Sequence, residues 1–140
     1  MRSKSGIHNV NMEKILVIED EPEMRRNLIT ILRLEKFQPL SAENGRVGVQ
    51  LAKEEKPDLI LCDVMMPELD GYGVITAIRS DKETANTPFI FLTASEKSEI
   101  RTGTNLEADD YLAKPVAIPD LLAAIRSYTG ASGFPERLKP

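Results

Sequence analysis

Apolar residues occur along this chain in short, nearly unbroken runs, separated by stretches with helical spacing. "KILVIE" (14–19), "QPLSA" (38–42), "DLILC" (58–62), "PFIFL" (88–92) and "DYLA" (110–113) read as strands. The first, third and fourth are almost continuously apolar, which is the pattern of strands covered on both faces. Between them, Met24, Leu28, Ile31 and Leu32 share one helical face behind Pro22, a residue favoured in a first turn. Ile118, Leu121, Leu122 and Ile125 repeat that spacing after Ala117, and the segments 44–54, 70–80 and 96–105 carry it more weakly. The helix over 96–105, the fourth of five, is the weakest, because "RTGTN" puts Gly, Asn and two Thr where good helix formers are expected.

Five strand-then-helix units in this order predict an α/β fold with right-handed crossovers. The expected architecture is a doubly wound, five-stranded parallel sheet of strand order 2-1-3-4-5, a flavodoxin-like three-layer sandwich. Pro39 supports that order, since it cannot donate a ladder hydrogen bond and belongs on an edge strand. One domain is expected over 13–128, between a polar leader (1–12) and a tail (129–140) that contains two Gly and two Pro.

Composition narrows the function. The 140 residues, 41% of them hydrophobic, suit a single domain with one sizeable core. A net charge of -4 with scattered Lys and Arg argues against direct nucleic-acid binding. No apolar stretch approaches the ~20 residues that span a bilayer, and no signal-peptide core is present, so a cytoplasmic location is expected. Cys62, the only cysteine, lies inside an apolar run and reads as a small buried hydrophobe. His8 falls in the polar leader and reads as solvent-exposed, and Met65-Met66 as loop packing.

In an open parallel sheet the site lies beyond the carboxyl ends of the strands, where strand order reverses. There the first strand ends in Glu19-Asp20 and the third in Asp63. Three convergent carboxylates repel one another and call for protons or a cation, and Mg²⁺, which prefers oxygen ligands, resolves the conflict. Thr93 ends the fourth strand and Lys114-Pro115 follows the fifth, bringing a hydroxyl and an ammonium to the same rim. Such a set suits phosphoryl transfer. Taken singly, each residue has a plainer reading: helix-start acids at 19–20, a turn cap at Asp63, a buried or turn hydroxyl at Thr93, a solvated Lys114. It is their joint placement at four strand ends that favours chemistry.

Four motifs in order, "ILVIEDE", "LILCDVMMPELDG", "FLTAS" and "DDYLAKP", resemble the receiver domains of two-component response regulators over residues 13–128. The resemblance implies that Asp63 accepts a phosphoryl group from the phosphohistidine of a sensor histidine kinase or phosphotransfer protein. It implies a Mg²⁺ site from Glu19, Asp20, Asp63 and the Met65 carbonyl, with Thr93 and Lys114 contacting the phosphoryl group. Main-chain N–H groups just after Asp63 and Thr93 are expected to help. Tyr111 matches the aromatic whose rotamer couples to the Thr, and Met65 and Ser95 match positions flanking the hydrolytic water. Such a domain signals rather than acting on a substrate, and promotes its own phosphorylation and dephosphorylation. Downstream partners or an effector domain are expected on the face of the fourth helix, fifth strand and fifth helix, and a homodimer stays open. Glu107 departs from the family, which commonly has Gly there, and is expected to be strained. A dehalogenase-like phosphatase would need an acid two residues after the nucleophile, where this chain has Met65. A module that is never phosphorylated would be marked by loss of an acid, the Thr or the Lys, and none is lost.

Overall fold

The computed structural model describes residues 12–94 and 108–130. The expected helix over 96–105, Ser95, Glu107 and His8 lie outside the described residues, as does most of the expected leader and tail. The described elements are β1 (Lys14–Ile18), α1 (Pro22–Leu34), β2 (Gln38–Ala42), α2 (Gly45–Glu55), β3 (Leu59–Asp63), α3 (Gly71–Ser80), β4 (Phe89–Thr93), β5 (Asp110–Ala113) and α4 (Ile118–Thr129). The last is the fifth of the helices expected from sequence.

All strand pairs are parallel, in the order β2-β1-β3-β4-β5, with Pro39 on the edge strand β2. Successive side chains of a strand point to opposite faces, and here both faces are covered. Ile15, Val17, Leu59, Leu61, Ile90 and Leu92 pack with Leu28 and Leu32 of α1 and Leu121 and Ile125 of α4. Their neighbours Leu16, Ile18, Ile60, Cys62, Phe89 and Phe91 pack with Ala52 of α2 and Val74, Ile75 and Ile78 of α3. Two apolar faces at period two produce the continuous runs seen in the sequence. Burial of each large side chain contributes about 1.5–3 kcal/mol, before conformational entropy is counted.

Polar side chains start three helices, which fixes the turns that follow strands β1, β2 and β3. Glu21 accepts from the Met24 N–H (2.6 Å), Asn44 from Val47 (2.9 Å) and Asp70 from Gly73 (3.0 Å). Each satisfies one of the orphan N–H groups of a first helical turn. α4 starts at Ala117 without a side-chain cap and has Pro119 in its opening turn. It stops at Gly130, whose φ of 74° is the left-handed conformation that suits glycine past a helix end.

Three strands differ from expectation by one residue, β1 at its end and β3 and β4 at both ends. β1 ends at Ile18, yet the Glu19 N–H still donates to the Ala42 carbonyl (3.1 Å), so Glu19 prolongs the ladder. β3 runs from Leu59 through Asp63, with the Asp58 carboxylate accepting from the Lys14 N–H (2.7 Å), and β4 runs from Phe89 through Thr93.

Candidate functional site

Glu19, Asp20 and Asp63 meet where β1 and β3 end. One carboxylate oxygen from each lies within 4.8 Å of the others. Glu19 and Asp63 are buried, at 1% and 5% exposure, and Asp20 is half-buried. Strand pairing brings this about: Ile18 lies beside Cys62, so the residues that follow emerge together. Lys114, beyond β5, places Nζ 3.1 Å from Glu19 Oε1 and 3.1 Å from Asp63 Oδ1. The contact with Glu19 is an ion pair without hydrogen-bond alignment, and among the described residues the buried Oε1 has no hydrogen-bond partner. Its other oxygen accepts from the Glu21 N–H at 3.1 Å.

One ammonium thus faces three carboxylates. Burial, then the Glu21 N–H and the charge of Asp63, act on Glu19, and the balance pushes its carboxyl above the usual range. Lys114 is pulled down by burial, but its contact with Glu19 and the charges of Asp63 and Glu19 outweigh that and raise it. Hard oxygen donors, excess negative charge and an unpartnered buried oxygen fit a divalent cation such as Mg²⁺. Cys62 packs behind the site, fully buried, its thiol pushed well up by burial and by the charges of Asp63, Glu19 and Asp70. Its Sγ donates to the Asp63 carbonyl at 3.2 Å. Such a thiol is inert, as its sequence setting suggested.

Thr93 ends β4 on the same rim, buried, and its carbonyl accepts from the Lys114 N–H at 2.8 Å. The Lys114–Pro115 peptide is cis. Tyr111, half-buried in β5, stacks on Phe91 with ring centroids 5.7 Å apart, and Phe91 meets Tyr72 of α3 edge-on at 5.6 Å. The methionine pair divides: Met65 is 71% exposed, whereas Met66 is buried in the core, so loop packing describes Met66 alone. Of the main-chain N–H groups after Asp63, that of Val64 is committed to the Leu92 carbonyl (3.1 Å), leaving any anion-binding role to residues beyond it.

Two supporting residues have no counterpart in the sequence reading. Arg25 Nη1 donates to the Glu19 carbonyl at 2.7 Å and holds the acidic turn. Gly71 donates its N–H to the Val64 carbonyl (2.7 Å) and lies so close that a Cβ there would be 2.5 Å from the Asp63 carbonyl oxygen. The only sequence signal for Gly71 was the Asp-Gly step at the start of α3. A single Arg in the second turn of α1 carried none.

The family model of the response regulator receiver domain matches residues 15–126. The chain belongs to this family. The receiver is 38% identical over 117 residues to Protein PilH of Pseudomonas aeruginosa, covering 83% of this chain and 97% of PilH. It is 45% identical over 116 residues to the probable transcriptional regulator ycf27 of Porphyridium aerugineum, covering 82% of this chain and 47% of that protein. The chain therefore spans about half the length of the ycf27 relatives. Among solved structures, it resembles the receiver domain of the sensor histidine kinase PA1611 of Pseudomonas aeruginosa, which has a magnesium ion coordinated in its active site cleft. That match has a TM-score of 0.79 at 29% identity and covers 86% of this chain and 99% of the other. A response regulator structure from Chloroflexus aurantiacus matches with a TM-score of 0.79 at 26% identity, covering 86% and 99%. The receiver is thus a signalling domain of two-component systems, and the phosphatase alternative falls. Among the described residues no helix is long and apolar enough to cross a membrane.

Proposed function

We propose that this receiver takes a phosphoryl group from the phosphohistidine of a sensor histidine kinase or phosphotransfer protein onto Asp63, in a Mg²⁺-dependent reaction, within a functional unit spanning 13–128. The observation that carries the reading is the cluster of Glu19, Asp20 and Asp63 with Lys114 bridging Glu19 and Asp63 at 3.1 Å each.

Glu19, Asp20, Asp63 and the Met65 carbonyl would hold the ion. When bound, Mg²⁺ offsets charge on the phosphoryl oxygens during in-line transfer. An Asp63 carboxylate oxygen forms the new P–O bond while the P–N bond breaks, its electron pair returning to the imidazole nitrogen of the donor. Catalysis by the chain is mostly positioning: β3 fixes the nucleophile, and the packing of Cys62 and Val64 keeps water from its back. The acyl phosphate carries a charge of about -2. Lys114 follows that charge, and the Thr93 hydroxyl donates to a phosphoryl oxygen. Tyr111 then repacks against Phe91, which carries the change to the face of β5 and α4 where a downstream partner or effector domain reads it. Hydrolysis by the same site resets the switch in the cytoplasm.

Acetyl phosphate with Mg²⁺ should add one phosphoryl group, seen by intact mass and mapped to Asp63. A protein that gains no such mass under these conditions would overturn the reading.

A further inference from the structure

Leu69, in the loop between β3 and α3, is seated between two glycines. A Cβ at Gly45, the first residue of α2, would meet the Leu69 carbonyl oxygen at 2.5 Å, Val74 Cγ2 of α3 at 2.9 Å and the Leu69 Cβ at 3.1 Å. A Cβ at Gly73 in α3 would meet Leu69 Cδ1 at 2.4 Å. The same loop leaves from Asp63, carries Met65 and is closed at its far end by the bond from Gly71 to Val64. Its path is therefore fixed at two places, beside Asp63 by Gly71 and at its outer bend by Gly45.

α2 is the stiffer of the two parts that meet at Gly45. Asn44 caps it, Ala52 is fully buried, and Gly48 fits close against the Ile18 side chain. Residues 64–70 form neither helix nor strand. A side chain at Gly45 is thus accommodated by moving the Leu69 main chain and turning the Val74 side chain aside, not by moving α2. We infer that Gly45 is a positioning residue for the Asp63 site: the N-terminus of α2 sets, through Leu69, the height of the β3–α3 loop and hence of Met65 above Asp63. The inference rests on the reading of the Mg²⁺ site given above.

Helix propensity acts in the opposite direction, since Ala is favoured over Gly in a helix by roughly 1 kcal/mol. Lost metal affinity in Gly45→Ala would thus not follow from a weaker helix. Gly48→Ala is the matched control, because the nearest atoms its Cβ would meet belong to the Ile18 side chain, at 2.4 Å from Cδ1, and not to the β3–α3 loop. Magnesium affinity by calorimetry on the unphosphorylated protein and amide exchange across 64–70 are measured for wild type and both variants. Gly45→Ala should bind Mg²⁺ about tenfold more weakly and exchange faster across the loop, with Gly48→Ala near wild type in both. Unchanged affinity and exchange in Gly45→Ala, or an equal loss in Gly48→Ala, would overturn this inference alone. A wild-type protein that bound no Mg²⁺ would overturn the site reading and this inference with it.

Discussion

Two charged clusters lie at opposite ends of the same sheet and are resolved in opposite ways. At the strand N-termini, Arg79 of α3 donates to the carbonyls of Ala85 (3.1 Å) and Thr87 (2.6 Å) and pairs with Asp109 at 3.4 Å. Asp109 also accepts from the Phe89 N–H (2.8 Å), and its carbonyl accepts from the Tyr128 hydroxyl (2.9 Å). Among the described residues one cation meets one anion, both are well hydrogen-bonded, and the cluster ties α3, β4, β5 and α4 together. At the C-termini, among the described residues, three carboxylates share one ammonium, and a buried oxygen of Glu19 lacks a hydrogen bond. Both clusters use the same side-chain chemistry. Matched charge with satisfied hydrogen bonds makes a structural clamp, whereas surplus charge leaves a site that still attracts a cation.

The comparison breaks most directly through the two aspartates. Asp63→Asn should abolish labelling by acetyl phosphate, since an amide is no nucleophile, while unfolding without Mg²⁺ stays as difficult as in wild type or becomes harder. Asp109→Asn should keep the label and lose about 1–3 kcal/mol of stability, because Arg79 and the Phe89 N–H lose a charged acceptor. Intact mass and denaturant melts read both quantities. If Asp63→Asn proved the more destabilising of the two, surplus charge would not distinguish the rim.

Lys114→Ala sharpens the same contrast, because it removes the only cation that pairs with Asp63 among the described residues. Magnesium should bind at least as tightly as in wild type, while labelling slows about tenfold for want of a charge to follow the phosphoryl group. Calorimetry and labelling rates check this, and weaker Mg²⁺ binding would mean that Lys114 organises the carboxylates instead of competing for them.

The strands and their order were legible because physical constraints acted on residue type. Burial on both sheet faces forces runs such as Leu59 to Cys62 to be apolar throughout, and Pro39 is tolerated only at an edge. The candidate site was legible for a related reason: Glu19, Asp20, Asp63, Thr93 and Lys114 each end or follow a strand, so parallel register brings them to one rim. Contacts made through the main chain left no such trace. Arg25 acts on the Glu19 carbonyl, Gly71 lies against that of Asp63 and Gly45 against that of Leu69, and any residue supplies a carbonyl. The division between Met65 and Met66 was equally hidden, since neighbouring loop residues follow no period that assigns one inward. The clamp of Arg79 and Asp109 joins positions thirty residues apart with no motif at either.

Met65 sharpens the comparison on a smaller scale, because its exposed thioether stands beside the surplus-charge rim and cannot orient a water. Met65→Asn supplies an amide that can, so the phosphorylated form should decay at a rate changed several-fold, followed by loss of the added mass with time. Equal decay in the two proteins would exclude the position from the path of water.

The smallest effect tests whether charge matching, and not position in the sheet, separates the two ends. Glu13 lies just before β1, near the strand N-termini, yet its neighbour is another acid: burial first, then the charge of Asp58 and a hydrogen bond to it, raise its carboxyl above the ordinary range. A native pKa above the unfolded one means that the folded chain holds the proton more tightly. Ionised Glu13 therefore costs stability, fully so above the raised value, and the cost vanishes as pH falls below the ordinary carboxylate range. Glu13→Gln should stabilise the protein at pH 7 by a few tenths of a kcal/mol after solvent screening, and by less at about pH 4. Paired denaturant melts at the two values decide it. A difference that did not shrink on acidification would show that the gain came from packing, and that a local surplus of charge has no cost at this end of the sheet.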